Sequence, residues 1–337
     1  MISIVAEHSI SFDEHVYHPT DTLSKVVFAT FMQLVKFGTI NFFLLAGFLI
    51  GEKFTDYSPL EYLNRRVKNT FMPWVFWSLF FLTIMIVTDF ISAYRFNNGH
   101  LDKNYSDDLI DHLKAIYLYS NYWFIPNFLC CITVLLIFRK YLYSYLFGAI
   151  LLIFTSVYVI NIYGQWVDAR HSTAILGFVF FLWLGAQFNR NLTSIEAWLG
   201  KTPVLIWVLA AIIALVCGVR ESLFLKSIYS IDPYNSLRIS NIFYSLICFF
   251  LLLKIKSFKL VTCLKPRETT YGIYLIHYIL IAMVLTEIFR PLKFDVTNLP
   301  LIKLVGYQIL RFIIVYTTTF VIVTLINRTR FKWSIGR

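Results

Sequence analysis

Near the start of the chain, in MISIVAEHSISF, Glu7 and His8 stand side by side among apolar residues. An imidazole next to a carboxylate is a combination suited to proton transfer, because the carboxylate can orient the ring or stabilise its charge. Neighbours on a helix point about 100° apart, so sequence adjacency does not itself make a contact. Lys36, His277 and Arg311 lie inside other apolar runs, together with the polar Asn41, Gln187 and Gln308. An ionisable group near a bilayer midplane costs ~2.5–3.5 kcal/mol on insertion scales, so each is a candidate for function. Each also has a structural reading. Lys36 can pair with Glu7 across two helices, Arg311 can bond carbonyls and pack its helix, and His277 can be a satisfied bundle histidine. His8 is the first candidate for a base, with Glu7 as its orienter and His277 as the next histidine to consider. A different chemistry is offered by Arg65, Arg66 and Lys68 in YLNRRVKNTFMP. Arginine forks match phosphate geometry, so this cluster suits a phosphorylated ligand. It equally suits a positively charged membrane anchor.

These groups must be positioned by membrane helices. Of the 337 residues, 58% are hydrophobic and only 15% charged, and mean hydropathy is +0.67. That composition excludes an ordinary soluble domain and points to an all-α polytopic membrane protein. Apolar segments run at 1–12, 25–51, 71–93, 122–138, 142–163, 172–189, 202–219, 239–255, 270–289 and 300–326. They predict about ten transmembrane helices in one bundle, with residues 1–337 forming a single integral-membrane domain. The first segment rises only about 18 Å at ~1.5 Å per residue, short of a ~30 Å core, so the expectation is a first helix truncated at its N-terminal end. Taken alternately, the loops place Lys53, Arg65, Arg66, Lys68, Arg139, Lys140, Arg190, Lys201, the basic residues of 254–267 and the basic tail on one side. The other side takes most of the acids, among them Asp13, Glu14, Asp102, Asp107, Asp108 and Asp111. The positive-inside rule then predicts a multi-pass cell-membrane protein with a cytoplasmic C-terminus. The net charge of +11 is explained by these loop clusters, and nucleic acid is not expected as a partner. Cys130, Cys131, Cys217, Cys248 and Cys263 lie in or beside apolar runs and read as buried thiols, with no metal site.

Four stretches together resemble one known family. NFFLLAGFLIG (41–51), YLNRRVKNTFMP (62–73), NYWFIPNFL (121–129) and YGIYLIHY (271–278) are similar to motifs of the integral-membrane acyltransferase-3 family, in the same order. The resemblance implies a ten-helix core that takes an acyl group, usually acetyl from cytoplasmic acetyl-CoA, to a hydroxyl of a cell-surface glycan or its lipid-linked precursor. Family members carry an Arg in the first helix followed, after ten residues, by a His. AEHS matches the His end, which gives His8 that role and places the Arg before Met1. Two departures stand out: Ala46 occupies a position usually held by Ser, and the second member of a spaced Arg pair before the Pro is replaced by Lys68 or Asn69.

The mechanism implied is transfer from a thioester to an alcohol, with His8 as the base or as a transiently acylated residue. Arg65, Arg66, Lys68 and Lys36 are candidates for holding the CoA part of the donor. Tyr122, Trp123 and Arg311 are candidates for contact with the acceptor. Acetyl-CoA or another acyl-CoA acts as co-substrate, with no permanently bound cofactor. Membrane lipids and the glycan or lipid-linked acceptor are the expected partners, and homo-oligomerisation is left open. The competing reading is a transporter of polysaccharide or lipid-linked sugar. Internal repeats and Gly/Pro-broken helices would favour it, and no repeat of polar pattern is present between the two halves.

Overall fold

The computed structural model describes the chain except residues 12–16, 18, 20, 54–56, 97–104, 257–258 and 287–298. Some of the loop charges used for the topology, including Asp13, Glu14, Asp102 and Lys103, therefore lie outside the described residues. The described chain is a bundle of helices, with no strand among those residues. In order they are α1 (Ile2–Ser11), α2 (Thr22–Val35), α3 (Gly38–Lys53), α4 (Pro59–Arg66), α5 (Met72–Phe96), α6 (Tyr105–Lys114), α7 (Phe124–Ile137) and α8 (Tyr145–Gly164). Then follow α9 (Val179–Arg190), α10 (Leu192–Lys201), α11 (Val204–Ser227), α12 (Ile239–Ile255), α13 (Lys259–Cys263), α14 (Pro266–Ile279) and α15 (Leu301–Ile326).

Each of the ten apolar segments is at least partly helical, but they are not equally long. Among the described residues, five spans are long and apolar enough to cross a bilayer alone: Thr22–Gly51, Pro59–Arg95, Tyr145–Gly164, Val204–Ser227 and Leu301–Ile326. A sixth arises if Tyr105–Tyr119 and Asn121–Ile137, bent at 66°, count as one broken span. Among the described residues, ten crossings do not follow from these lengths, because α9 has 12 residues and α12 has 17. At 1.5 Å per residue such helices fall short of the hydrocarbon thickness.

Helix starts follow local chemistry. Asp21 caps α2 by accepting the Ser24 N–H at 2.8 Å, and Ser58 caps α4 with Pro59 at its first position. Those side chains satisfy backbone donors that a helix leaves without partners. Glu221 of α11 does the same for α12, accepting the N–H groups of Ile239 (3.1 Å) and Ser240 (3.0 Å). An anion there also meets the positive end of the helix dipole.

The closest helix pairing is α3 on α9, and glycine makes it. A Cβ on Gly47 would lie 1.8 Å from the Leu182 carbonyl oxygen, and one on Gly185 would lie 2.1 Å from that of Leu44. The backbones touch through these positions, as small residues permit in membrane helices. The ring of Phe43 stacks on Phe178 at 4.8 Å in the same region. Between α2 and α3 the chain turns at Lys36 and Phe37. Here α1 comes so near that a Cβ on Gly38 would lie 2.5 Å from the Ser3 hydroxyl.

The alternation of loops is visible as two sets of contacts at opposite ends. On one end Arg139 donates to the Tyr57 carbonyl (3.2 Å), Arg190 lies over the Tyr143 ring, Lys256 pairs with Glu196 and Arg337 pairs with Glu268. The tail is held there too, since the Trp77 indole donates to the Ser334 carbonyl at 2.8 Å. On the other end Arg170 lies over Tyr119, the Asn235 amide donates to the Ala169 carbonyl at 2.7 Å, and Lys226 lies over Tyr234. The basic loops and the tail thus share one end.

Candidate functional site

His8 lies on α1, the helix that inserts at the α2–α3 turn. Its ring packs at 5.3 Å from the His277 ring and meets the Tyr278 ring edge-on at 5.5 Å. Neither ring nitrogen of His8 is hydrogen-bonded to a described residue, and the side chain is only partly buried. Its free edge lines a small pocket shared with Ile4, Glu7, Thr39, Phe42, Asn121, Trp123, Phe124, His171 and Tyr274.

Glu7 does not orient His8. Its carboxylate accepts from the Lys36 ammonium at 2.7 Å, with both side chains about 5% exposed or less. This is the cross-helix pair that the residue types allow, and it places Lys36 beside the pocket as a counter-ion. The second carboxylate oxygen of Glu7 has no hydrogen-bond partner among the described residues.

His277 is fully buried. Its Nδ1 faces the Ile273 carbonyl at 2.9 Å, and a carbonyl only accepts, so Nδ1 carries the proton. That leaves Nε2 as a buried acceptor without a partner among the described residues. His277 therefore contacts His8 by ring packing and does not line the pocket.

The NYW and YGIYLIHY stretches clasp each other. Asn121 donates through its side-chain amide to the Tyr274 carbonyl at 2.7 Å, while the Tyr274 hydroxyl donates back to the Asn121 carbonyl. The Tyr122 hydroxyl donates to the Leu275 carbonyl at 2.7 Å, and Trp74 donates to the Tyr122 carbonyl at 3.0 Å. Tyr122 is thereby a fully buried clamp and no pocket wall. Trp123, its neighbour, does line the pocket and presents its ring to His171 at 5.1 Å. Arg311, on α15, is 2% exposed and lies over the Tyr307 ring at 5.7 Å, away from the pocket lining.

His171 is the residue that the sequence reading missed. It sits in the 165–178 loop, and its Nδ1 is 2.5 Å from an Asp232 carboxylate oxygen that also accepts the His171 backbone N–H at 3.1 Å. Charge inside an apolar span marks a candidate in the sequence, whereas both members of this pair lie in loops and are 61 residues apart. Among the described residues, no cluster of His, Cys, Asp or Glu is arranged to hold a metal ion.

The Arg65–Arg66–Lys68 cluster is not gathered into the pocket. Arg66 donates through Nε and Nη2 to the Tyr62 hydroxyl (2.9 and 2.7 Å), and Arg65 pairs with Glu61 at 3.1 Å. Lys68 is exposed within a π-helical turn, Val67–Phe71, that precedes Pro73. Proline has no N–H to give to the carbonyls of that turn, and the Tyr271 hydroxyl donates to the Thr70 carbonyl. A separate apolar cavity of about 430 Å³ shares Ile4 and Phe42 with the histidine pocket. Its wall includes Met1 and Asn41, and it reaches Lys256 and Glu196 at the end that carries the tail. Neither polar atom of the Asn41 side chain has a hydrogen-bond partner among the described residues.

With this geometry in place, one comparison is decisive. The model of an acyltransferase domain matches residues 1–328. The chain belongs to the acyltransferase-3 family. No curated protein and no solved structure matches it. As an acyltransferase the chain needs a group that can handle an acyl carbon and one that can handle an alcohol proton. The pocket of this acyltransferase is lined by two imidazoles, His8 and His171.

Proposed function

We propose that this membrane acyltransferase moves an acyl group, most simply acetyl, from a cytoplasmic acyl-CoA to a hydroxyl of a cell-surface glycan or its lipid-linked precursor. The observation that carries the reading is His8: an imidazole with no hydrogen bond to a described residue, facing a pocket inside a chain of the acyltransferase-3 family. A neutral imidazole can act on a thioester carbonyl or relieve an alcohol of its proton, and such general-base help is worth about 10²–10⁴ in rate. The aromatic wall of Trp123, Phe124 and Tyr274 suits a sugar face.

The donor side is read from charge. Arg65, Arg66, Lys68 and the basic tail share one end of the bundle, and the positive-inside bias makes that end cytoplasmic, in the cell membrane. Of the cluster, Arg66 bonds a neutral phenol through its fork, and Lys68 is exposed, so both suit a phosphate. Lys36 is engaged by Glu7 and is assigned to the pocket, not to CoA. The apolar cavity beside Ile4 offers the donor arm a path from that end towards His8. No permanently bound cofactor is called for.

The test uses membranes containing the protein, incubated with radiolabelled acetyl-CoA. Label should appear in the envelope polysaccharide and disappear when His8 is replaced by Ala. Unlabelled polysaccharide with the intact protein, together with sugar movement across the membrane, would instead favour a carrier.

A further inference from the structure

We propose that His171, held by Asp232, is the general base that takes the proton from the acceptor hydroxyl, which leaves His8 to carry the acyl group. This inference rests on the acyl-transfer reading above and assigns the two histidines separate tasks.

Three observations support the assignment. Asp232 accepts both the ring Nδ1–H and the backbone N–H of His171 (2.5 and 3.1 Å), which fixes the tautomer and aims Nε2 as the ring's remaining lone pair. Trp123 packs edge-on against the same ring, so its rotamer is held from a second direction. His171 nevertheless lines the pocket that His8 lines. A simple tie between loops would not require this. The 165–178 and 228–238 segments are already joined by the Asn235 amide on the Ala169 carbonyl (2.7 Å) and the Ile231 N–H on the Gln165 side chain (3.3 Å).

His8 has no such carboxylate. The one beside it is occupied by Lys36 at 2.7 Å. An imidazole without an anionic partner is a poorer place to store a proton than one with it. His171 also stands on the end opposite the tail, the side from which an outer acceptor would arrive, whereas the donor comes from the tail end.

A ring nitrogen of His8 attacks the thioester carbonyl carbon, the C–S bond breaks, and the thiolate leaves with the proton of the other His8 ring nitrogen. The acceptor oxygen then bonds to that carbon while its proton passes to Nε2 of His171. The C–N bond to His8 breaks, and the proton held by His171 passes across the pocket to the His8 ring, so both imidazoles end neutral. The Asp232 carboxylate stabilises the imidazolium and is a positioning residue.

The test compares first-turnover thiol release from [14C]acetyl-CoA with labelling of the envelope polysaccharide, using the full chain in membranes. His171→Gln should lower polysaccharide label by about 10²-fold or more while keeping thiol release in the first turnover within about threefold. Label within about threefold of the parent protein, or thiol release falling in step with label, overturns the proposal. If His171→Gln does not accumulate, the near-isosteric Asp232→Asn carries the same test. It should lower label about tenfold and move the acid limb of its pH profile to lower pH, because the imidazolium loses its counter-ion. An unmoved limb overturns the proposal. The other charged and titratable groups around the pair are His8, Glu7 and Lys36 across the pocket, Asp168 and Arg170 on its own loop, and Arg238 at the end of the segment that carries Asp232. They are unchanged in both variants. Loss of label in His8→Ala with full activity in His171→Gln refutes this assignment alone. Absence of label with the parent protein refutes the acyl-transfer reading itself.

Discussion

The ammonium of Lys36 donates to the carboxylate of Glu7 at 2.7 Å, joining the turn between α2 and α3 to the short helix α1. Both side chains are almost wholly removed from solvent. The pair therefore holds the helix that bears His8, with Glu7 one residue away from it.

Lys36→Met leaves the Glu7 carboxylate buried without its counter-ion. Breaking one side of a buried pair costs about 3–5 kcal/mol, whereas replacing both members by apolar groups of similar size is often neutral. Thermal unfolding in detergent should show a large loss for Lys36→Met and recovery of most of it in Glu7→Gln/Lys36→Met. A single variant as stable as the parent would mean that the pair does not hold α1.

His8→Ala should abolish acyl transfer by at least about 10²-fold while the protein still accumulates and remains monodisperse, because the ring makes only packing contacts. His277→Ala should act differently. Its ring is fully buried against His8 and Tyr274, so truncation leaves a cavity and costs roughly 2–4 kcal/mol. Clean inactivity in His277→Ala, with stability preserved, would move the reactive imidazole there.

Gly47→Ala and Gly185→Ala should each destabilise by roughly 1–3 kcal/mol or more, since the new Cβ meets backbone atoms that cannot rotate away. Gly200 offers a control: a Cβ there meets nothing within 4 Å. Gly200→Ala should leave the melting temperature unchanged or slightly raised, and equal effects at all three sites would refute the close approach of α3 and α9.

Arg66→Ala should raise the KM for acyl-CoA more than it lowers kcat, because a phosphate contact remote from the thioester contributes largely uniform binding. Arg65, already paired with Glu61 and half exposed, should have a milder effect. The Arg66 effect should shrink with salt, as charges are screened over ~8–10 Å at 0.1–0.15 M. No change in KM at either position would reduce the cluster to a membrane anchor.

Asp232 lies outside the membrane spans. Burial pushes its carboxyl up, but the His171 charge and hydrogen bond, with Lys36 and the His171 N–H, outweigh burial and hold it below the ordinary value of 3.8. A carboxyl depressed by folding contributes stability above its unfolded value and loses it only as pH falls through the folded one. Acidification to about pH 4 should therefore leave the 165–178 and 228–238 loops joined. Hydrogen exchange at the Ala169–Thr173 backbone should stay slow at pH 4 and become fast in Asp232→Ala at neutral pH. Fast exchange in the parent protein at pH 4 would contradict the depressed carboxyl.

Much was readable from residue order. Repeated apolar runs dictate helices because a bilayer offers no water to unpaired backbone groups. Alternating loop charge sorted the two ends that the structure then assembles, from Arg139 on Tyr57 to Arg337 on Glu268. The four motifs pointed to the family, and the types of Glu7 and Lys36 allowed their pairing. Pairing by type is possible because a buried charge must find its opposite. Tertiary structure alone decided that Glu7 goes to Lys36 and not to His8, that Tyr122 is a clamp while Trp123 is a wall, and that Arg66 stands apart from the pocket. It alone brought His171 to Asp232. Local sequence constrains which groups a helix face can bury, but a contact between two loops depends on how the helices beneath them pack. That packing is set by features such as Gly47 against Leu182, whose consequence appears only once both backbones are in place.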